Sequence, residues 1–364
     1  MPPLLATDRD TQTMAPLSTV GHYPELKRRV RDAGLFAPQP RYYVWKTVIT
    51  AGLTGIALLF VFASHNPWWR SCAAAFLAAV FAQISFIGHD VGHRQVVQSR
   101  RLYLVFSLIV GNLLVGVSAT WWQTKHNLHH GHPNRPGFDP DVTLPIVAFT
   151  AGRAQAMNRA QRLVVRNQHL LFLALLLGEG IVLRFSSIQF LIARRGRHWL
   201  LELALIAAHA AIWSFIVFRQ FGFGPGLGFI AVQQMCYGLY MGLVFAPNHK
   251  GMAELEPAEA DDFLLEQVLG SRNVRPHPIV DFVYGGLNYQ IEHHLFPTLA
   301  RNRLRAAQPL VQAFCAERGI PYCQTGLVAA YRDIFKHLYG VSRAARTAAP
   351  KARGGLPAER SVGS

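Results

Sequence analysis

Three short stretches of the chain carry imidazoles at helical spacing. His89 and His93 stand four apart in H-D-V-G-H, and His126, His129 and His130 follow at i, i+3, i+4 in H-N-L-H-H. Gln290, His293 and His294 repeat that second spacing in Y-Q-I-E-H-H-L-F-P. On a helix, those offsets share one face. Neutral imidazole suits iron, zinc, copper or nickel. With His249 of A-P-N-H-K-G, eight of the 16 histidines fall in or beside such patches. One ion does not need that many donors, so two ions are expected; histidine alone does not choose the metal.

The elements that carry these patches are apolar. Of 364 residues, 51% are hydrophobic and only 15% charged, against a net charge of +16. Soluble domains run at roughly 25% charged, so the deficit points to burial in lipid. The basic excess suits anionic lipid headgroups or an acidic protein partner, and no nucleic-acid recognition motif accompanies it. The four cysteines, Cys72, Cys236, Cys315 and Cys323, lack metal-ligand spacing and are read as reduced and structural. The opening residues lack the apolar core of a signal peptide.

Hydropathy predicts an all-α integral membrane protein with four spans in two hairpins, at about 44–64, 71–88, 199–218 and 222–246. Residues 1–40 form a mobile basic arm ending in a surface helix, 41–340 the membrane domain, and 341–364 a disordered basic tail. The apolar stretch 102–122 could also span. A single crossing there would put His89 and His93 on the opposite side from His126, His129 and His130. A re-entrant or interfacial helix pair, broken near Gly111-Asn112, keeps them together. Residues 168–183, interrupted by Glu179, read as interfacial. The long segments 89–198 and 247–364 hold most of the Lys and Arg. The positive-inside rule then places them, both termini and all three patches in the cytoplasm.

The three stretches in this order, H-D-V-G-H at 89–93, W-W-Q-T-K-H-N-L-H-H at 121–130 and G-G-L-N-Y-Q-I-E-H-H-L-F-P at 285–297, resemble the membrane fatty-acid desaturase family over about residues 40–340. Gln290, at the first position of the third histidine box (290–294), resembles the front-end branch, which includes bacterial members without a fused cytochrome domain. The resemblance implies a non-haem di-iron centre in a cytoplasmic helical cap, two Fe2+ ions held by His89, His93, His126, His129, His130, His293 and His294. His249 matches the family's additional histidine. Asn248 is a candidate acting through water, and Gln290 either coordinates through its amide oxygen or hydrogen-bonds a ligand. Candidates to orient the imidazoles from behind are Asp90, Glu292, Asp139, Asp141 and Asn288.

Di-iron chemistry implies dioxygen as co-substrate, a fatty acyl chain on coenzyme A or phospholipid, and removal of two adjacent hydrogens. No ferredoxin or small cytochrome domain is recognisable within the chain, so a separate donor of that kind, with its reductase, is expected to supply electrons. The same centre could instead add oxygen, as in a hydroxylase or ketolase. A metal transporter is the remote alternative, because the spans hold few ionisable groups beyond Glu202 and His209. Tyr237, Tyr240, Gln233 and aromatic residues of 102–122 are candidate tunnel walls. His132 and His169 are read as a loop and an interfacial histidine.

Overall fold

The structure is a computed structural model and describes residues 22–252 and 262–347. Apart from one pair of two-residue strands, its regular elements are helical. Among the described residues, four helices are long and apolar enough to cross a membrane: α2 (Pro40–Ala63), α3 (Pro67–Gly92), α10 (Trp199–Phe221) and α11 (Phe223–His249). Each long apolar stretch satisfies its own backbone as a helix, which is what a hydrocarbon environment demands. The start of α3 is set by Asn66, whose side chain accepts from Trp69 N at 2.9 Å, and by Pro67 in the first turn. Helices α3 and α11 form the centre, where Ala73, Leu77 and Phe81 share one core with Phe229, Met241 and Val244. Helices α2 and α10 flank it. They turn Val48, Leu59, Leu200 and Phe215 outward, as surfaces that face lipid do.

The stretch 102–122 is broken, as expected, but at a different place. Helix α4 (Arg100–Ser107) runs into a π-helical turn, Leu108–Val115, and the chain then reverses into α5 (Ala119–Gly131) with a bend of 104°. The break lies at 116–118 and not at Gly111-Asn112. Gly116 takes a left-handed φ of +77°, which costs glycine little, and a Cβ there would strike the His209 ring. Ser118 then caps α5, its Oγ accepting from Trp121 N at 3.0 Å. Gly111 and Asn112 remain helical, and the Asn112 side chain accepts from Ala119 N at 3.3 Å across the turn.

Polar side chains from two later helices satisfy this break. The Glu202 carboxylate on α10 accepts from Asn112 Nδ2 (3.1 Å), Ser118 Oγ (2.7 Å), Thr120 N (3.2 Å) and Thr120 Oγ1. His209 Nδ1 lies 3.0 Å from Leu113 O, and Arg184 donates to Val115 O at 2.8 Å. Arg184 belongs to α9 (Glu179–Arg194), which follows α8 (Gln168–Leu176) across a second bend of 72°. The region from 168 is therefore two helices reaching Arg194, longer than the stretch to 183 suggested by hydropathy.

Between α5 and α8, a 3-10 turn at Pro140–Val142 precedes short helices α6 (Ala151–Ala156) and α7 (Arg159–Val165). After α11 come α12 (Phe263–Leu269), β1 (Asn273–Val274), α13 (Pro278–Val283), α14 (Gln290–Leu295), α15 (Arg301–Glu317), β2 (Gln324–Thr325) and α16 (Leu327–Thr347). Strands β1 and β2 pair in parallel. A second core joins α12, α14 and α15 to α1 (His22–Asp32) through Leu26, Val30, Leu265, Ile291, Leu295 and Phe314. Full burial of each such aliphatic side chain contributes roughly 1.5–3 kcal/mol.

Both proposed terminal segments need correction at their inner ends. Within 1–40, α1 is docked. Leu26 and Val30 are buried, and Arg29–Glu317 (2.8 Å) and Arg318–Glu25 (2.5 Å) pair across to α15. At the other end α16 continues through Thr347, past 341, because Val341 and Ala345 bury against Ala154, Met157 and Val165. Residues 1–21 and 348–364 lie outside the described residues.

Replacing Glu202 with Ala leaves the Asn112, Ser118 and Thr120 donors unpaired in apolar surroundings. The expected loss is on the order of 3–5 kcal/mol, seen as a lower melting temperature of the detergent-solubilised protein, with Glu202→Gln milder. An unchanged melting temperature in Glu202→Ala would show that the break does not depend on this carboxylate.

Candidate metal centre

Each patch reaches the centre by a different local device. The last turn of α3 carries His89, and His93 caps that helix, its N–H donating to His89 O at 3.1 Å. Helix α5, capped by Ser118, presents His126, His129 and His130. His249 ends α11. Helix α14 is short but buried on all sides, with His293 and His294 each 1% exposed.

The ligand atoms of His89, His93, His126, His130 and His293 lie within 4.8 Å of one another, and those of His129, His249 and His294 form a second group by the same measure. The groups adjoin: the His130 and His294 rings stack at 4.3 Å. All eight histidines singled out in the sequence are thus brought together. His132, His169 and His209 are not. They contact Glu266 (3.1 Å), Ser342 (3.1 Å) and Leu113 O.

The outward nitrogens of His129, His249 and His294 are occupied, whereas His130 Nδ1 is buried without a partner. His129 Nδ1 donates to Asp139 Oδ2, His249 Nδ1 to Gly270 O and His294 Nδ1 to Gln267 Oε1, each at 2.9 Å. Asp90 Oδ1 lies 3.4 Å from His89 Nδ1, while its Oδ2 pairs with Arg301 at 2.6 Å. A proton on Nδ1 leaves Nε2 as the lone-pair donor. Those Nε2 atoms have little else to bind. His89, His293 and His294 Nε2 are buried without a hydrogen-bond partner. His93 and His130 Nε2 sit 2.9 and 3.1 Å from His126 Nε2, where one proton cannot serve every pair. Burial first, then the neighbouring imidazoles, holds His293 and His294 well below the usual histidine range. Neutral, convergent, dry nitrogens fit transition-metal ions in both groups.

The carboxylates and amides divide. Asp139 orients His129; burial opposes its ionisation most, but the hydrogen bond to His129 and the charges of His129 and Lys250 together outweigh this and keep the carboxyl below its usual range. Asp141 Oδ2 lies 3.6 Å from His129 Nδ1, and its Oδ1 is held by Lys125. Glu292 and Asn288 do not touch an imidazole. Glu292 accepts from Asn273 and Tyr322, each at 2.7 Å, and burial pushes its carboxyl up to about 7. Its alternation with the histidines on so short a helix turns it toward the β1–β2 pair. Asn288 donates to Asp281 at 2.7 Å. Gln290 Nε2 is 2.9 Å from His249 Nε2, and Asn248 Nδ2 donates to Gln290 Oε1 at 3.0 Å. A half-turn of both amides would point Gln290 Oε1 at the second group and give Asn248 Oδ1, otherwise unpartnered, a donor.

Sequence reasoning missed Gln267, the Gly270 carbonyl, Arg301 and Asn273. The signal available for Gln267 was a polar Glu-Gln pair inside the apolar run F-L-L-E-Q-V-L. Trp122, proposed with the other aromatic residues of 102–122 as a tunnel wall, also stacks on His126 at 4.3 Å and fills the space a Cβ at Gly92 would need.

The centre opens on a cavity of about 300 Å3. His89, His126, His129, His249 and His293 line one part, and Val115, Phe172, Leu183 and Met241 another. Of the proposed tunnel residues, Tyr237 lines it together with Tyr103, Trp121 and Trp122 from α4 and α5; Tyr240 instead donates to Val283 O and Gln234 donates to Gln233.

A fatty acid desaturase family profile matches residues 66–326. The Delta(6)-fatty-acid desaturase fat-3 of Caenorhabditis elegans is 31% identical over 83% of this chain and 71% of that protein. The Delta(5) fatty acid desaturase fat-4 of the same organism is 30% identical over 82% of this chain and 69% of its own length. A Delta(8)-fatty-acid desaturase of Euglena gracilis is 28% identical over 85% and 77%. Two adjoining imidazole groups on an apolar cavity, and matches of this extent, have one common explanation: the chain belongs to the membrane fatty-acid desaturase family and is itself a fatty-acid desaturase.

Proposed function

We propose that the chain desaturates a fatty acyl chain near its carboxyl end, using dioxygen and two iron ions at the two imidazole groups. The observation that carries this reading is the pair of groups on the wall of one apolar cavity. His89, His93, His126, His130 and His293 would hold one ion; His129, His249 and His294, with the Gln290 amide oxygen, would hold the other. Bound iron would supply the chemistry by which dioxygen, two electrons and two protons take two hydrogens from adjacent methylenes, leaving a double bond and two waters. The names of the relatives, Delta(5), Delta(6) and Delta(8), support a position near the carboxyl end.

The chain's own residues do the rest. Asp139, Gly270 O and Gln267 fix the tautomers of His129, His249 and His294 before any ion binds. Trp122 and Tyr237 bound the space in which the acyl chain lies, and the apolar wall keeps water from the reacting carbons. Four crossings by α2, α3, α10 and α11, in two hairpins, would leave the histidines and both termini on one side, and the distribution of Lys and Arg supports the cytoplasm. The net charge of +16 suits docking of an acidic, separate electron carrier, a ferredoxin or small cytochrome.

The decisive assay is mass spectrometry of fatty acids from a host expressing the chain with a suitable donor. The wild type should yield a product lighter by two hydrogens, whereas a product heavier by one oxygen would favour a hydroxylase. His293→Ala should abolish the product and lower bound iron, and retention of both would remove His293 from the centre. Asp139→Asn should weaken iron binding roughly 10–100-fold, read by chelator competition on purified protein; unchanged affinity would make Asp139 a loop residue only. For topology, single cysteines at His65 and Arg135 should be labelled from opposite faces of the membrane. Equal labelling from one face would overturn the four-span arrangement.

A further inference from the structure

One polar feature of the cavity remains unused by the metal centre. Along α11 the cavity is lined by Tyr237, Met241, Phe245 and His249 at intervals of four, with Gly242 and Ala246 beside them, and Lys250 lines it just past the helix. Tyr237 and Lys250 lie thirteen positions apart, or about 20 Å along a helix axis, so the space is elongated. Tyr237, Val115 and Val117 are buried at one end. At the other, Phe245 and Ile146 line the cavity while remaining 41% and 45% exposed. The metal ligand His249 is therefore beside the Lys250 end and far from the Tyr237 end.

Lys250 is only 8% exposed. Its Nζ donates to Asp141 O at 3.1 Å and lies 4.2 Å from the centre of the Phe149 ring. The two carboxylates that act on it are already held, Asp139 by His129 and Asn134 N and Asp141 by Lys125. An ammonium has three N–H donors; the backbone oxygen and the ring account for two. A buried donor without a partner is costly, and an apolar chain alone gives it none. An acyl carbonyl oxygen does.

We propose that Lys250 binds the carbonyl oxygen of the acyl substrate, ester or thioester, and thereby measures the position of desaturation from the carboxyl end. The hydrocarbon then runs from Lys250 past the histidines toward Tyr237. Because Lys250 directly follows the ligand His249, the carbons that reach the group of His129, His249 and His294 are those close to the carbonyl. This assignment rests on the desaturase function proposed above and names the group within that site which reads the head of the chain.

The test separates recognition of the carbonyl from support of His249. A fluorescent fatty-acyl probe is bound to purified, iron-loaded protein and displaced by oleoyl-coenzyme A, by oleoyl phosphatidylcholine or by octadecene, which has no carbonyl. Lys250→Met should weaken displacement by at least one of the two carbonyl ligands roughly tenfold and leave octadecene unchanged; the ligand that loses affinity identifies the carrier. Equal weakening for all three, or for none, overturns the proposal. Iron is measured in the same samples. If Lys250→Met loses iron, Lys250→Gln is read in its place, and iron loss in both makes Lys250 a support of His249 and overturns the assignment. In turnover, Lys250→Met should spread the double bond over neighbouring positions while Lys250→Arg keeps one; a single unshifted position in Lys250→Met also overturns it. Lack of any product from the wild type, with carbonyl-selective binding intact, refutes the desaturation chemistry and not the role of Lys250.

Discussion

The structure depends on lone pairs that converge in a dry place. His93 and His130 each bring Nε2 within about a hydrogen-bond length of His126 Nε2, and His89, His293 and His294 leave theirs buried and unpartnered. Such an arrangement is unfavourable for bare imidazoles, since buried polar atoms cost free energy unless satisfied. Part of it is held from outside: Gln267 on α12 and the Gly270 carbonyl just after it bond the far edges of His294 and His249, and Asp139, on the loop after α5, bonds that of His129. The centre is thus built from its outer edge inward. The apolar packing of Ile291, Leu295 and Leu265 matters as much to its geometry as the histidines do.

The membrane imposes a second demand, which the break after α4 answers. The box on α5 must return to the side where α3 ends, and a chain cannot reverse in hydrocarbon with bare peptide groups. A glycine that accepts positive φ makes the reversal. Glu202, His209 and Arg184 then bond the groups it exposes. The ionisable groups within these helices therefore serve the fold. That also accounts for why a transporter-like reading of Glu202 and His209 finds no support: both are spent on the broken pair.

How much could be read in the sequence follows from the range of each signal. Spans are local, because hydropathy over about 20 residues is what a bilayer selects; the four long helices accordingly lie within a few residues of expectation. The imidazoles were legible because the i, i+3, i+4 spacing is itself the geometry of a helix face. The break was misplaced by several residues because Gly111-Asn112 looks the weaker spot locally, while Glu202, some 90 residues away, makes Asn112 part of a helix. Glu292 was misassigned for a similar reason. A six-residue helix buried all round has no outward face, so adjacency to His293 says nothing about which neighbour a carboxylate meets. Arg301 acts only across long separations and left no local mark, and the Glu-Gln pair before Val268 marked a polar spot without showing what it meets.

Arg301 shows how the three patches are kept in register. Its guanidinium pairs with Asp90, donates to Phe86 O at the end of α3, and starts the helix that follows the third box. Its backbone N–H reaches Tyr43 OH at 3.3 Å. Tyr43 in turn donates to Gln95, and Gln95 donates to Pro297 O. First and third boxes are therefore tied by charge and by backbone at once. The second box is tied to the region after α11 by His132 and Glu266, one residue before Gln267. Buried ion pairs contribute little net stability by themselves, because desolvation offsets attraction. Their value here is geometric. A guanidinium with fixed, planar donors tolerates less displacement than an apolar contact of the same size, and imidazoles that must converge on shared ions require that restriction.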